Sequence, residues 1–387
     1  MRLLPADYAL RNAGRRPLRT AITVFSSLLV TAVVAGTTAF VRGLEHANLQ
    51  AAPPRTAILL SNASQRDIVR SAITPATADI VAADVKGIAR IGGVPAVSAE
   101  VHLATSVRVN DDPVERQGFL RGITERAFLV HDGVTIVEGR PPRAGEALVG
   151  RLVSQKLGLP EGTVGLGDAI AVEGGSFRVS GVFRAPGSTI ESEIWVPLVE
   201  IQGLSNRDDI SAVFARVETD DDLALVDLFA KRNLDLELLY LSAADYYREL
   251  AAYFGPLRDF AWLMAGLIAL AALFSGANTQ NAAVQDRIRE LATLRAMGYS
   301  GFALVFSLVQ EALLVASLGA IAGLLLARGL ISGSAVNLAM TAFALDFDGL
   351  VVVLAFGAAL LVALVGTLPA AWRVMRLPIA TAIKEDA

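Results

Sequence analysis

Four stretches of the chain are almost purely apolar, and each is long enough to cross a lipid bilayer. They occupy residues 20–41, 259–285, 302–327 and 349–372. A helix needs roughly 20 apolar residues to span the hydrocarbon core of a membrane. A soluble helix of this length would carry a polar residue at every third or fourth position, and these stretches do not. The pattern predicts four transmembrane α-helices, one before and three after a long intervening segment.

The intervening segment, residues 42–258, has the mixed periodicities of an α+β domain. Apolar positions within 101–109 alternate with polar ones that include Glu100 and His102, which predicts a strand with one solvated face. Further strands are predicted at 169–172, 177–183, 194–196 and 212–217, with a hairpin turn at 173–176, and helices at 76–91, 151–157, 223–232 and 244–254. A segment of this length can bury a core of its own.

The charges are distributed unevenly along the chain. Overall, 53% of residues are hydrophobic, 19% are charged, the mean hydropathy is +0.51 and the formal net charge is −4. Residues 1–19, 286–301 and 373–387 together hold 11 basic and 5 acidic residues, whereas residues 42–258 hold 22 basic and 29 acidic ones. Because basic segments are retained in the cytoplasm, we expect both termini and the loop 286–301 to be cytoplasmic. Residues 42–258 and the short loop 328–348 are then extracytoplasmic.

The first apolar stretch has a second interpretation, as a cleaved signal peptide. Arginines precede it, and the small residues 36–39 near its end resemble a cleavage site. Its apolar length exceeds the roughly 7–15 residues usual in signal peptides. We therefore favour a membrane helix.

The sequence lacks the residue patterns of common catalytic and metal sites. It contains no cysteine, which excludes disulfides, zinc ribbons and thiol catalysis. Its three histidines, His46, His102 and His131, are far apart and lack the neighbours of a metal site. No lysine stands in a phosphate-binding loop, and neither Gly-x-Ser-x-Gly nor Gly-x-Gly-x-x-Gly occurs. We expect no enzyme activity and no bound cofactor or metal in this chain.

Polar residues inside the predicted membrane helices are the remaining candidates. Glu311 lies roughly 14 Å into its helix at 1.5 Å per residue, where an ionisable side chain is costly unless it faces a partner or a cavity. We favour a protonated carboxyl hydrogen-bonded inside the bundle over a substrate or proton role. Asn278 is typical of interhelical hydrogen bonding, and Gly319 and Gly323, one turn apart, permit close approach of another helix.

The loop 286–301 contains a short amphipathic helix that should end at Gly298. Ile288, Leu291 and Leu294 form one apolar ridge on this helix, and charged residues lie beside the ridge. Such a helix either lies flat on the membrane or docks into the groove of a partner. The residues alone leave both alternatives open.

Several motifs occur in a defined order around this topology. The loop reads Arg-Glu-x-x-x-Leu-Arg-Ala-x-Gly, residues 10–20 form a basic amphipathic opening, and residues 368–379 form a Pro-Ala, basic and then Pro-containing tail. Together with residues 138–217, which are similar to a MacB-like periplasmic core domain, they resemble the MacB/FtsX-type permeases of ABC transporters, with an FtsX-like permease domain at 259–387. The residues that carry the loop signature are Arg289, Glu290, Leu294, Arg295, Ala296 and Gly298.

The resemblance implies a mechanism in which two permease chains, identical or paralogous, pair with two copies of a separate ABC ATPase. That partner binds ATP and Mg²⁺, and its closure is passed through the membrane helices to the extracytoplasmic domains. The coupling segment on the ATPase would comprise Arg287, Arg289, Glu290, Leu294, Arg295 and Gly298. The N-terminal interfacial helix beside it would carry Arg11, Arg15, Arg16 and Arg19.

By the same resemblance, the protein exports or extracts a hydrophobic or amphipathic substrate at the cell inner membrane. A lipid, lipoprotein, peptide or drug fits this description, and the further partner would be a periplasmic adaptor or outer-membrane protein rather than nucleic acid. Two other interpretations stay open. One is an FtsX-like signalling permease that regulates a cell-wall hydrolase, and the other is an enzyme active in the membrane, which rests on Glu311 alone.

Overall fold

The computed structural model describes residues 15, 17–331, 334–338 and 341–376; the side chains of residues 19, 48–50, 338 and 341 are left out of this description. Arg11, Arg16 and the predicted tail 377–379 lie outside the described residues. The chain forms two units. The membrane unit comprises Met1–Arg42, Pro256–Ser332 and Asp346–Ala387, and the α+β domain comprises Gly43–Gly255 and Gly333–Leu345.

The α-helices are numbered here in chain order. They are α1 Pro17–Ala51, α2 Ala76–Asp84, α3 Ala127–Val130, α4 Val153–Lys156, α5 Leu198–Ser205, α6 Leu223–Arg232, α7 Ala243–Tyr253, α8 Gly255–Gln285, α9 Ile288–Ala296, α10 Gly301–Ile331 and α11 Gly349–Met375.

The β-strands all belong to the α+β domain. They are β1 Thr56–Ser61, β2 Arg90–Ile91, β3 Val94–Pro95, β4 Val97–Val109, β5 Arg116–Ile123, β6 Thr135–Gly139, β7 Glu146–Gly150, β8 Ala169–Val172, β9 Gly175–Arg184, β10 Ile194–Pro197, β11 Ala212–Arg216, β12 Leu238–Ser242, β13 Ala335–Leu338 and β14 Thr341–Ala344.

Four helices of the described residues are long and apolar enough to cross a membrane: Thr20–Ala47 within α1, α8, α10 and α11. This confirms the predicted arrangement of one helix before and three after a large α+β domain. The helices extend beyond the apolar stretches that predicted them, because their end turns hold charged residues such as Arg258 and Arg328 that still fit a helix. Asp348 caps α11 by accepting from the backbone N–H of Val351, and it pairs with Arg42 of α1 at 2.5 Å.

A single ten-stranded sheet organises the α+β domain, in the order β12-β1-β11-β4-β5-β10-β7-β9-β6, with β8 pairing with β4 and β9. Most neighbours are antiparallel, whereas β10 with β5 and β7 with β9 are parallel. The predicted hairpin between β8 and β9 is present, and Gly174 adopts a φ of +88° in its turn. The helix predicted at 76–91 is shorter than expected. It ends at Asp84 because the chain turns through Gly87 at a φ of +84° into β2.

Both faces of the sheet carry buried residues in the first half of β4. Val97, Val101 and Val107 of β4 belong to a core on the first face, to which α2 and α6 also contribute. The prediction of a solvated second face on β4 is therefore wrong for its first half, since Glu100 and His102 are at most 1% exposed. The second face packs instead beneath α7 and α3, whose side chains join the apolar clusters there.

The segment predicted as a short loop at 328–348 is more structured than expected. Helix α10 continues to Ile331, and β13 and β14 form a hairpin that belongs to the α+β domain. The backbone N–H of Ala342 donates to Ser192 Oγ at 3.1 Å, and Lys156 Nζ donates to Asn337 Oδ1 at 3.1 Å. The hairpin thus packs into the α+β domain.

Candidate functional site

Helix α9 is the short helix in the loop between α8 and α10. It ends at Ala296, after which Gly298 adopts a φ of +95°, a conformation that side chains disfavour. The backbone N–H of Tyr299 returns to the carbonyl of Leu294 at 3.2 Å, as in a helix terminated by a left-handed glycine. Gly298 therefore sets the direction in which the chain leaves α9.

The apolar ridge of α9 packs within its own chain. Leu291 is 5% exposed and belongs to one cluster with Leu304 of α10 and Val374 of α11, against which Ile288 and Leu294 also pack. The ridge is therefore covered by helices of the same chain, so either alternative for α9, the membrane surface or a partner's groove, would have to use another face of the helix. Only the remaining faces of α9 are available to another molecule.

Arg287 and Glu311 form a bidentate ion pair at the start of α9. Arg287 Nη1 and Nη2 donate to the two carboxylate oxygens of Glu311 at 3.1 and 3.0 Å, and the two side chains are 7% and 9% exposed. The predicted protonated carboxyl inside the bundle thus has a charged partner that sequence reasoning did not consider. Arg287, expected on the coupling surface, faces inward and connects the loop to α10.

Arg295 makes a second connection, from the last turn of α9 to the end of α11. Its Nη1 donates to the carbonyls of Val374 and Met375, each at 3.4 Å. The last carbonyls of a helix have no partner within that helix and carry partial negative charge. The arginine therefore caps α11 while holding α9 beside it.

The outward part of this segment consists of Arg289 and Glu290, which belong to the loop signature, and of Met297, which does not. Arg289 and Glu290 are exposed, and the Met297 side chain that follows the helix is 63% exposed. We name these three residues the α9 surface. The residues of this loop therefore differ in placement: Arg287, Leu294 and Arg295 contact other helices of the chain, Gly298 ends α9, and the α9 surface is exposed.

The predicted packing glycines lie against α1. A Cβ atom at Gly319 would come within 2.4 Å of the backbone oxygen of Val24, and one at Gly323 within 2.6 Å of that of Leu28. Ser27 also donates its hydroxyl to the carbonyl of Ala316 at 2.8 Å. Helices α1 and α10 thus approach at backbone contact, which only glycine allows at these positions.

The other residues singled out in or beside the membrane helices do not form one cluster. Asn278 is exposed on α8, whereas Gln280, two residues later, is buried and lines a cavity of about 40 Å³ together with Thr23 and Ser27. Gln280 is therefore the interior polar group of this helix. Arg15 is exposed, and the side chain of Arg19 is not described.

The α+β domain contains a buried polar cluster that the sequence did not reveal. Arg121 of β5 donates from Nε and Nη2 to the carboxylate of Glu193, each at 2.6 Å, and from Nη1 to Glu100 at 2.7 Å. Glu100 also lies 2.9 Å from His131 Nε2, and Trp195 Nε1 donates to Glu193 at 2.8 Å. The one available signal was the run of polar residues on the second face of β4, which is paired with β5.

Burial and charge change the titration of this cluster. Burial would raise the pKa of Glu100, but the charges of His131 and Arg121 outweigh it and hold that pKa well below its usual range. Burial, reinforced by Arg121, lowers the pKa of His102, so its ring is neutral near pH 7. Burial also raises the pKa of Tyr247 to about 12. Among the described residues, no group of three or more His, Asp or Glu side chains is arranged to hold a metal ion.

Comparisons with known families match both units of the chain. Residues 20–227 match the MacB-like periplasmic core domain, and residues 262–379 match the FtsX-like permease C-terminal domain. The first match alone covers more than half of the chain.

Curated relatives and solved structures are similar over large regions. The macrolide export ATP-binding/permease protein MacB 2 of Yersinia pestis is 23% identical over 363 residues, which cover 88% of this chain and 52% of that protein. MacB of Bradyrhizobium diazoefficiens is 24% identical over 292 residues, 70% of this chain and 43% of that protein. The chain therefore spans about half the length of these relatives. The periplasmic region of MacB from Actinobacillus actinomycetemcomitans aligns with 52% of this chain and 95% of its own, at 13% identity and a TM-score of 0.40.

Proposed function

Because the chain belongs to the MacB/FtsX-like permeases of ABC transporters, we propose that it couples ATP hydrolysis by a separate ATPase subunit to movement of its α+β domain. The work done is export or extraction of a hydrophobic or amphipathic substrate. The observation that carries the proposal is α9, which is fixed firmly to the membrane helices while presenting a charged surface outward. No second function has an observation of its own, so the signalling alternative is not pursued.

The proposed orientation follows from the charge asymmetry. The segments around α9 and both termini are basic, and the α+β domain is acidic. The positive-inside tendency supports α9 in the cytoplasm and the α+β domain on the opposite side of the plasma membrane. In this orientation α9 faces the compartment that contains ATP.

The contacts of α9 suit the transmission of force. A helix that only lay on the surface would yield when a partner pressed on it. Here the Arg287–Glu311 pair, the cap by Arg295 and the packing of Leu291 tie α9 to α10 and α11. A displacement of α9 is therefore passed to these membrane helices.

The proposed partner contributes the nucleotide chemistry. The similar MacB proteins are named ATP-binding/permease proteins, and this chain spans about half of their length. Its sequence has no phosphate-binding loop. As the family resemblance implies, ATP and Mg²⁺ are proposed to bind to two ATPase copies, which act on two permease chains.

The test is reconstitution with the ABC ATPase that we expect to be encoded beside the gene of this protein. The full-length chain and the ATPase are combined in lipid nanodiscs, and ATP hydrolysis and co-purification are measured. In the test variant, Arg289→Glu is combined with Glu290→Arg, which reverses both charges of the α9 surface. We expect loss of co-purification and of permease-dependent hydrolysis, with no change in melting temperature, because neither side chain is buried.

The matched control reverses two exposed charges on the α+β domain, Arg108→Glu with Glu115→Arg. This control should retain complex formation and hydrolysis. If the α9 variant behaved like the control, α9 would not be the docking site and the proposal would be wrong.

A further inference from the structure

A cavity of about 270 Å³ lies inside the α+β domain, between the second face of the sheet and α7. The sheet contributes His102 and Phe119 to its lining. Helix α7 and the position after it contribute four aromatic residues, Tyr246, Tyr247, Tyr253 and Phe254. The charged residues of the lining are Asp67, Arg121 and Glu193. Aromatic side chains offer large, rigid apolar surfaces with polar edges, the usual construction of a site for small organic molecules.

His102 is the unusual group in this lining. The side chain is buried, yet neither ring nitrogen has a hydrogen-bond partner among the residues that the structure describes. The nearest carboxylate oxygen, from Glu100, is 3.9 Å from Nε2, which is too far for a hydrogen bond. Buried polar groups are almost always partnered. A neutral imidazole that can donate and accept therefore awaits a partner from outside the domain's own side chains.

The charge of the lining restricts what that partner can be. Arg121, the arginine in the lining, already donates to Glu193 through two nitrogens and to Glu100 through the third. An anionic group would have to compete with both carboxylates for it. The cavity therefore suits an uncharged or cationic molecule.

We propose that this cavity binds an uncharged or cationic amphipathic molecule whose ring-shaped apolar part packs on the tyrosines and whose polar group hydrogen-bonds to His102. The further inference that this bound molecule is the transported substrate rests on the proposed function. Tyr253 and Phe254 line the cavity, and α8 begins at the next residue, Gly255. Residues that would contact the bound molecule are therefore directly continuous in sequence with a membrane helix.

The experiment uses two fluorescent probes that share one ring system. N-phenyl-1-naphthylamine is uncharged and carries an N–H donor, and 8-anilinonaphthalene-1-sulfonate adds a sulfonate. Each is titrated against the full-length chain in phosphatidylcholine nanodiscs without ATPase, with empty nanodiscs subtracted. We expect saturable binding of the uncharged probe with a Kd at least about tenfold lower than that of the sulfonate.

Three variants locate the binding. Leu250→Trp fills the cavity, His102→Phe removes the hydrogen-bonding group, and His102→Gln keeps one. Leu250→Trp should weaken binding of the uncharged probe about tenfold because it takes up the space of the probe, and His102→Phe about tenfold because one hydrogen bond is lost. His102→Gln should weaken binding less. Leu228→Trp on the exposed side of α6 is the matched control and should bind like the wild type.

Each contrary result overturns the proposal. Equal signals from Leu250→Trp and the wild type would place the probe in lipid, and equal affinity for the sulfonate would contradict the charge selection. Unchanged binding in His102→Phe would show that the ring serves only packing or holds water. Because no ATPase is present, failure here leaves the permease role standing, and failure of ATPase coupling leaves the binding result intact.

Discussion

Two buried arginines, one in each unit, solve the same electrostatic problem differently. Arg121 in the α+β domain uses all three guanidinium nitrogens on two carboxylates. Arg287 in the membrane unit pairs with Glu311 alone, and its Nε has no partner among the described residues. The first arginine is fully satisfied and the second is not.

The difference follows from what holds the partners. Glu100 and Arg121 stand on neighbouring strands, and Glu193 directly precedes β10, which also pairs with β5, so sheet hydrogen bonds fix their positions. Arg287 and Glu311 lie on a loop and a helix that meet through side-chain packing. Buried ion pairs are weak sources of net stability but strong determinants of arrangement. The first cluster specifies a fold, and the second holds the start of α9 against α10.

The largest expected effect comes from removing the satisfied arginine. Arg121→Met leaves Glu100 and Glu193 buried without a cation, which should destabilise the α+β domain by about 3–5 kcal/mol. The measurement is thermal unfolding of the full-length chain in detergent, followed by tryptophan fluorescence in a background that carries Trp262→Phe and Trp372→Phe, so that the signal comes from Trp195, whose indole N–H contacts the cluster. Arg140→Met, which breaks an exposed pair with Glu146, should leave the transition unchanged. If Arg121→Met melted at the same temperature as Arg140→Met, the buried cluster would not stabilise the α+β domain, and its contrast with the Arg287–Glu311 pair would be lost.

The effects of substituting Arg287 and Glu311 on stability should depend on each other. Arg287→Met alone strands the Glu311 carboxylate and should destabilise the membrane unit by about 3 kcal/mol, whereas Arg287→Met with Glu311→Leu should recover most of that loss. The readouts are thermal unfolding and ATPase stimulation. We expect stability to recover in the double variant without full recovery of stimulation. Additive losses in stability would show that the pair is not coupled.

The contact between α1 and α10 gives a smaller effect with a clean control. Gly319→Ala places a Cβ against the Val24 carbonyl and should destabilise the membrane unit by about 1–3 kcal/mol through overpacking. Gly329→Ala, where a Cβ meets no atom within 4 Å, should be neutral or slightly stabilising because alanine favours helices. Both are measured by thermal unfolding in detergent. Indistinguishable transitions would contradict the close approach.

The smallest effect is a pH dependence confined to the α+β domain. His102 is neutral when folded because its pKa is lowered from 6.5, so the stability it contributes is complete above that value and declines as the pH falls below it. Glu100 adds a second loss below about pH 4.5, as the solution falls towards its depressed folded pKa. The groups facing His102 are Arg121, Glu100, His131 and Arg207.

The check is the melting temperature of the Trp195 transition between about pH 8 and pH 4. His102→Gln should lose the first stage of the decline and keep the second. An unchanged profile in His102→Gln would assign the pH dependence to other groups.

The membrane helices and several strands could be predicted because their signals are local. An apolar stretch such as 349–372 predicts a spanning helix by length alone, and alternation on β4 predicts a strand. The solvated face of β4 was wrong because α7, more than a hundred residues later in the chain, covers it. Whether polar residues on a strand meet water or another layer is a tertiary property.

The candidate site was predictable as a segment and not as a set of contacts. The loop signature located α9, and glycine chemistry located its end at Gly298. It could not show that Arg287 faces inward, since that depends on Glu311, which lies in a different helix. Partners far apart in sequence leave no local pattern, and the same reason concealed the cluster of Glu100, Arg121 and His131.

The hairpin of β13 and β14 gives the α+β domain an order of completion during synthesis. Gly43–Gly255 leave the ribosome first, whereas the hairpin that packs on Ser192 and Lys156 follows only after α8, α9 and α10. Until then, the surface that receives Phe343, 1% exposed in the finished protein, is uncovered. The α+β domain can therefore be completed only after α10, the third membrane helix, has been synthesised.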